Sequence, residues 1–229
     1  LRGALRRAPQ DDEGIYLNDR SPHRHGVAPN LDPASPAMCP PPMSEFEFIF
    51  ALFGLLLGLS IAEVLGGLAR AIEAHLNPKT HVRIGWLTPL LGAFVLLDLL
   101  SFWQAAWVVR DLVAVSSHAL MAVTVFASAY YLAAHLVFPR EAAAESDFDD
   151  HFFRIRRVVL GVMIGLLACQ IAWYASLPQL AHNLVATLPL TLTVILALLM
   201  IAAMLVPGRA WSTAVMAALV ARYVVIYLL

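Results

Sequence analysis

Six stretches of about 20 mostly apolar residues follow one another between residues 45 and 229, with short polar connections. A helix rises about 1.5 Å per residue, so each stretch can cross a hydrocarbon core about 30 Å thick. Lipid offers backbone N–H and C=O groups no partner, so runs of this length cross it as helices. The fold class that follows is all-α, a polytopic transmembrane helix bundle. Its six predicted spans lie at about 45–74, 84–109, 112–138, 158–177, 184–206 and 210–229.

Composition agrees. The chain is 60% hydrophobic and 14% charged, with a mean hydropathy of +0.74, where a soluble domain carries about 25% charged residues. A net charge of −1 offers no basic surface to nucleic acid. The two cysteines, Cys39 and Cys169, fit no metal or redox spacing, so neither a metal nor a cofactor is expected. Residues 1–42 differ from the rest, with eight prolines, five arginines and no apolar run. Such a segment cannot bury enough surface to order itself, and it lacks the apolar centre of a signal peptide. It is read as a disordered or non-native extension, with translation expected to begin at Met43, or else at Met38. Of the 15 basic residues, 14 are Arg, and Ala and Leu abound. Their GC-rich codons point to a bacterial gene, and so to the inner membrane.

Basic residues near span ends set the orientation. The first, third and fifth connections hold Arg70, Lys79, Arg83, Arg140, Arg154, Arg156, Arg157 and Arg209. From Met43 onward the opposite side holds Arg110, plus Arg222 if it reaches out. The first side is expected to be cytoplasmic and both termini outside. Residues 139–157 read as a cytoplasmic loop whose second half starts a helix. There Ser146 and Asp149 form a box-like cap, and Phe148, Phe152 and Phe153 are expected at the interface. Trp86, Trp107, Trp211 and Tyr227 fall near span ends, as an aromatic belt does.

The first span carries Gly54, Gly58, Ala62 and Gly66, one helical turn apart. Such a stripe lets a second helix approach closely, the usual way helices associate in lipid. Beside it run Ser60, Glu63, Gly67 and Arg70. The fourth span repeats the spacing with Gly161, Gly165, Cys169 and Gln170. Pro89 matches Pro189 in the same comparison, and the pair suggests a 3+3 inverted repeat, a design of many transporters. The segment FGLLLGLSIAEVLGGLAR, residues 53–70, resembles the first helix of small bacterial multi-pass membrane proteins of no assigned activity. That resemblance implies a six-helix inner-membrane protein and carries no activity with it.

Ionisable residues inside spans are functional candidates by default. Here they are Glu63, Asp98, His118 and Arg222, joined by Gln170. Helical rise places Asp98, Gln170 and Arg222 in one layer, with His118 above them. There Asp98 is expected to pair with Arg222. Glu63 falls in a second layer with Tyr130, Tyr131 and His135. Arg70 stands two turns from Glu63, about 10 Å along the axis, so Glu63 is expected to lack a cation and to exchange protons.

Two functions follow. One is a small transporter or channel that uses intramembrane carboxylates. The alternative is a structural or regulatory membrane subunit, docking partners through the glycine groove and the 139–157 loop. Its partners are the lipid bilayer and either a second copy or another membrane protein. Against an enzyme stands the lack of a GxSxG elbow or an HExxH zinc pair.

Overall fold

At heptad-like spacing the first helix, α1 (Glu45–Leu76), turns one stripe inward. Phe53, Leu57, Ser60, Val64, Gly67, Ala71 and Ala74 are all buried. Steps of four and three residues make a narrow seam of the kind found in coiled coils. The computed structural model describes residues 45–78, 83–109, 116–140, 147–177 and 187–228. Its other helices are α2 (Leu87–Val108), α3 (Ser117–Val137), α4 (Phe148–Ser176), α5 (Thr187–Leu205) and α6 (Arg209–Leu228). The chain is all-α, with no strand among the described residues. Residues 1–42, Lys79, Arg110 and Ser146 lie outside them.

Five of the six helices, all but α5, are long and apolar enough to cross a membrane, so this is a multi-pass integral membrane protein. The described apolar stretch of α5, Leu190–Leu205, is shorter than a span. Exposed Trp86 and Trp211 sit at the starts of α2 and α6, while exposed Trp107 and Tyr227 sit at their far ends.

The seam of α1 packs most closely on α3, which buries Ala127, Tyr130, Ala133, Ala134 and Val137. Small residues on both helices permit that close approach. Phe138, just past α3, wedges between α1 and α2. A Cβ on Gly67 would lie 2.7 Å from the Cβ of Phe138, and one on Gly92 would lie 3.1 Å from its ring. The glycine stripe expected to pack does so only in part. A Cβ on Gly54 would strike Trp103 at 2.8 Å, and one on Gly66 would meet Arg70 at an ordinary 3.5 Å. Gly58, Gly161 and Gly165 would meet nothing within 4 Å, and Ala62 is exposed. The packed face is the neighbouring one, through Ser60 and Gly67. It won because aromatic and aliphatic residues, Phe53, Leu57 and Val64, share its helical register and bring the hydrophobic contact that glycines lack.

The two halves of the chain pack differently. While α1 lies chiefly on α3, α4 lies on α3, α5 and α2. It meets α6 at one end, through Asp147–Arg209 and Arg156–Ser212.

That end is tied by acidic residues. Asp147, rather than Ser146, is the N-cap of α4, accepting the Asp149 backbone N–H at 2.9 Å. Helix α2 has no side-chain cap of its own. Instead Asp149 reaches across and accepts the Leu87 N–H at 3.2 Å. Thr88 donates to the Phe148 carbonyl at 2.6 Å, and Phe148 N–H to the Arg83 carbonyl at 3.2 Å. Gly85 leaves room for this, since a Cβ there would sit 1.8 Å from Asp149 Oδ1. Arg209, opening α6, donates to Asp147 at 2.8 Å and Asp150 at 2.9 Å. Three helix N-termini, each a partial positive charge, thus share three aspartates. Phe148 and Phe152, expected at the interface, are fully buried in the core instead. The second half of the 139–157 segment does start a helix, as expected, but that start is packed into the core rather than lying at the interface.

Partial burial pushes the Asp147 carboxyl up, but the Asp149 N–H and the Arg209 guanidinium outweigh it and hold it below the ordinary range. Asp149, Asp150 and Arg83 are the other charges nearby. A depressed carboxyl contributes stability that is complete above its unfolded-state pKa and is lost as pH falls through the lower folded value. Melting in mild detergent should therefore drop in acid below the usual carboxylate range. The Arg209→Gln variant should show a smaller drop. An identical acid profile for the two proteins would refute a role for the clamp.

Candidate functional site

Two polar clusters lie within the bundle, and both differ from what helical depth suggested. Asp98, in the middle of α2, accepts a hydrogen bond from the Tyr130 hydroxyl of α3 at 2.7 Å and a short one from the Tyr223 hydroxyl of α6. The carboxylate thus fastens three helices. Its surroundings are aromatic. Tyr130 lies against Phe102 and Phe126, with ring centroids 5.7 and 5.5 Å away, and Phe94 lies 6.1 Å from Tyr223.

Arg222 does not pair with Asp98. Its Nε and one terminal nitrogen donate to the Leu192 carbonyl of α5 at 3.2 and 3.0 Å. The guanidinium lies over the Tyr223 ring at 4.9 Å. Its other terminal nitrogen is buried and has no hydrogen-bond partner among the described residues. Neighbouring positions on a helix point about 100° apart, so Arg222 and Tyr223 cannot both face Asp98. Tyr223 does, and Arg222 is left to the α5 backbone.

The second cluster surrounds Glu63. Its Oε1 lies 2.9 Å from His135 Nδ1 and 3.7 Å from an Arg70 terminal nitrogen. The expectation that Glu63 lacks a cation is therefore overturned. Arg70 is long enough to fold back along two turns, and α3 brings His135 to the same spot. Arg140, just past the end of α3, donates to His135 Nε2 through Nε at 3.1 Å. Arginine has no acceptor, so Nε2 is the bare nitrogen. The imidazole is then neutral and its Nδ1–H donates to the Glu63 carboxylate. Tyr131 lies against His135 at 6.0 Å, while Tyr130, placed in this layer by depth, belongs to Asp98.

The other candidates lie apart from both clusters. Gln170 donates to the Tyr174 hydroxyl one turn along α4 at 3.2 Å. His118 is exposed in the first turn of α3. Both line a cavity among α1, α2, α3 and α4, as does Gly165.

Sequence reasoning missed Arg156. It is buried and donates to the Val206 carbonyl at 2.7 Å and the Ala203 carbonyl at 3.3 Å, capping the C-terminal end of α5. A cation suits that end of a helix dipole, and Phe153 lies under the guanidinium at 4.8 Å. The signal was in the spacing, because Arg156 shares a face with Phe152, Val159 and Met163, all buried. Among the described residues no group of three His, Cys, Asp or Glu side chains converges as metal ligands do.

Compared with protein-family models, curated proteins and solved structures, the chain matches none.

Proposed function

We propose that this is a small proton-linked carrier of the bacterial inner membrane, with Asp98 as its exchanging carboxyl. In this reading α5 completes a sixth span, and both termini face the outside. The observation that carries it is the partner set of Asp98. Hydroxyls donate to a carboxylate and accept from a carboxylic acid equally well. Tyr130 and Tyr223 therefore serve Asp98 in either protonation state, where a contacting arginine would fix it ionised. The unpartnered Arg222 N–H adds support. A buried polar group left unsatisfied costs about 1–3 kcal/mol, which suits a site that takes up a polar guest. Helix α3 then links the two clusters, since Tyr130 and His135 are five residues apart, about 7.5 Å along the axis. Glu63 and His135 would take the proton on toward the basic, cytoplasmic end, while Arg140, which stays protonated, orients the His135 ring. Carriage of this kind needs no inverted repeat.

Infrared titration of the protein in liposomes tests the reading. Wild type and Glu63→Gln should share a carboxyl band that grows as pH falls, and Asp98→Asn should lack it. If every titrating carboxyl band survives in Asp98→Asn, Asp98 does not exchange protons. The second reading, a membrane subunit that docks a partner, then moves ahead. It is favoured by the open surface at Gly58 and Gly161, where a neighbouring helix could approach without displacing anything.

A further inference from the structure

A cavity of about 890 Å³ lies among α1, α2, α3 and α4, within the 300–1,000 Å³ range of small-molecule sites. Along α3 it runs from His118 to Ala129 and along α4 from Val162 to Tyr174. By helical rise that is a slot about 16–18 Å long, parallel to the helices. Its two ends differ in chemistry. The deep end is made by Phe53, Phe102 and Phe126, whereas Gln170 and Tyr174 stand at the other. No Asp, Glu, Lys or Arg side chain lines it among the described residues, and His118 stands at the same end as Tyr174. Met121, Val125 and Trp173 line it and are also exposed, so the slot opens sideways, through the surface that faces hydrocarbon.

We propose that this slot binds a neutral single-chain amphiphile, a lipid with a hydroxyl or carbonyl head. A sideways opening admits only what dissolves in the bilayer. The length of the slot suits an extended chain, and its aromatic end a tail without polar atoms. At the other end the Gln170 amide donates one hydrogen to Tyr174. The amide oxygen, its second hydrogen and the Tyr174 hydroxyl hydrogen remain for a head group. With no arginine or lysine to balance it, a charged head would be poorly held. The site stands independently of proton exchange at Asp98, which the slot does not include.

Gly165 provides the test. It lines the slot, and a Cβ there would meet nothing within 4 Å, so a large side chain can fill the space without displacing the fold. The probe is a monoacylglycerol with a diazirine in its chain, added to the protein in phosphatidylcholine vesicles, irradiated and mapped by mass spectrometry. Saturable labelling is expected at Met121, Val125 or Leu166. Unlabelled monoacylglycerol should compete, and an alkyl sulfate of equal length should not. In Gly165→Phe the apparent affinity should fall about tenfold or more. Gly161→Phe, one turn away and outside the slot, should label as wild type does. Ala122→Phe, which fills the slot from α3, repeats the test should Gly165→Phe fail to fold. Gln170→Leu should weaken competition several-fold. Non-saturable labelling, or labelling unchanged in both filled variants, would mean that ordinary bilayer lipid occupies the slot. Equal competition by the alkyl sulfate would overturn the neutral head.

Discussion

Gly67→Ile is expected to destabilise the bundle severely, and Gly58→Ile to leave it unchanged. Both glycines lie in α1, nine residues apart, and isoleucine costs each the same helix propensity. The difference is what the new side chain meets. At Gly67 even a Cβ would sit 2.7 Å from the Phe138 Cβ and 2.7 Å from its ring. Neither partner can step aside. Phe138 is itself packed close against Gly92, and α1 lies chiefly on α3. Overpacking a well-filled core costs about 1–3 kcal/mol, occasionally more, and isoleucine adds three carbons beyond the one that already collides. A loss of about 3 kcal/mol or more is expected. Gly67→Ala should cost less, and Phe138→Ala beside it should recover part of the loss, because the collision is with that ring. Thermal melts in mild detergent measure all four proteins. If Gly67→Ile melts with the wild type, α1 and α3 do not pack as described. If Gly58→Ile falls instead, the glycine stripe is the packed face after all, against a partner that is not part of the chain.

Much of the fold could be read in the sequence because the membrane imposes it. Run length and apolarity placed the helices, and the predicted span starts and ends fell close to the observed ones in α1, α2 and α6. Helix α4 begins ten residues before its predicted span. The reason is chemical: Asp147 caps it, and Phe148 and Phe152 have core to fill. The clusters were harder. Helical rise gives depth along the axis but not rotation about it, so Asp98 and Arg222 looked like partners although Tyr223 holds the facing position. Side-chain reach was also underestimated. Arg70 and Arg140 are both long enough to join a cluster built on Glu63 and His135 from beyond the turn that holds it. The cap that Asp149 supplies to α2, 62 residues earlier in the chain, had no local signature at all. Gly85 was its single trace, a glycine required by the approach of a carboxylate from another helix.

Asp98 carries the second large effect, and the choice of substitution decides its size. Asp98→Leu should be strongly destabilising, because it strands the hydroxyls of Tyr130 and Tyr223 inside the bundle. Each unsatisfied buried group costs about 1–3 kcal/mol, so the two together lose about 2–6 kcal/mol by the same figure. Asp98→Asn should fold nearly as well as wild type. Its amide oxygen accepts from one tyrosine, and its NH₂ donates to the other once that hydroxyl rotates. The couplings then follow from geometry. In double-mutant cycles of Asp98→Leu, Tyr223→Phe should relieve part of the damage by removing one stranded hydroxyl. Arg222→Gln should not, since Arg222 donates to the Leu192 carbonyl and not to the carboxylate. Pairs in direct contact couple by about 0.5–3 kcal/mol, so the Asp98–Tyr223 coupling should exceed the Asp98–Arg222 coupling, which runs through the Tyr223 ring that the guanidinium overlies. A direct Asp98–Arg222 clasp makes the opposite forecast: Asp98→Asn strands a buried guanidinium, and Arg222→Gln rescues it. Melts of the single and double variants distinguish the two arrangements. Rescue by Arg222→Gln would restore the ion pair. Asp98 would then be a fixed structural charge, and proton exchange at that carboxyl would lose its physical basis.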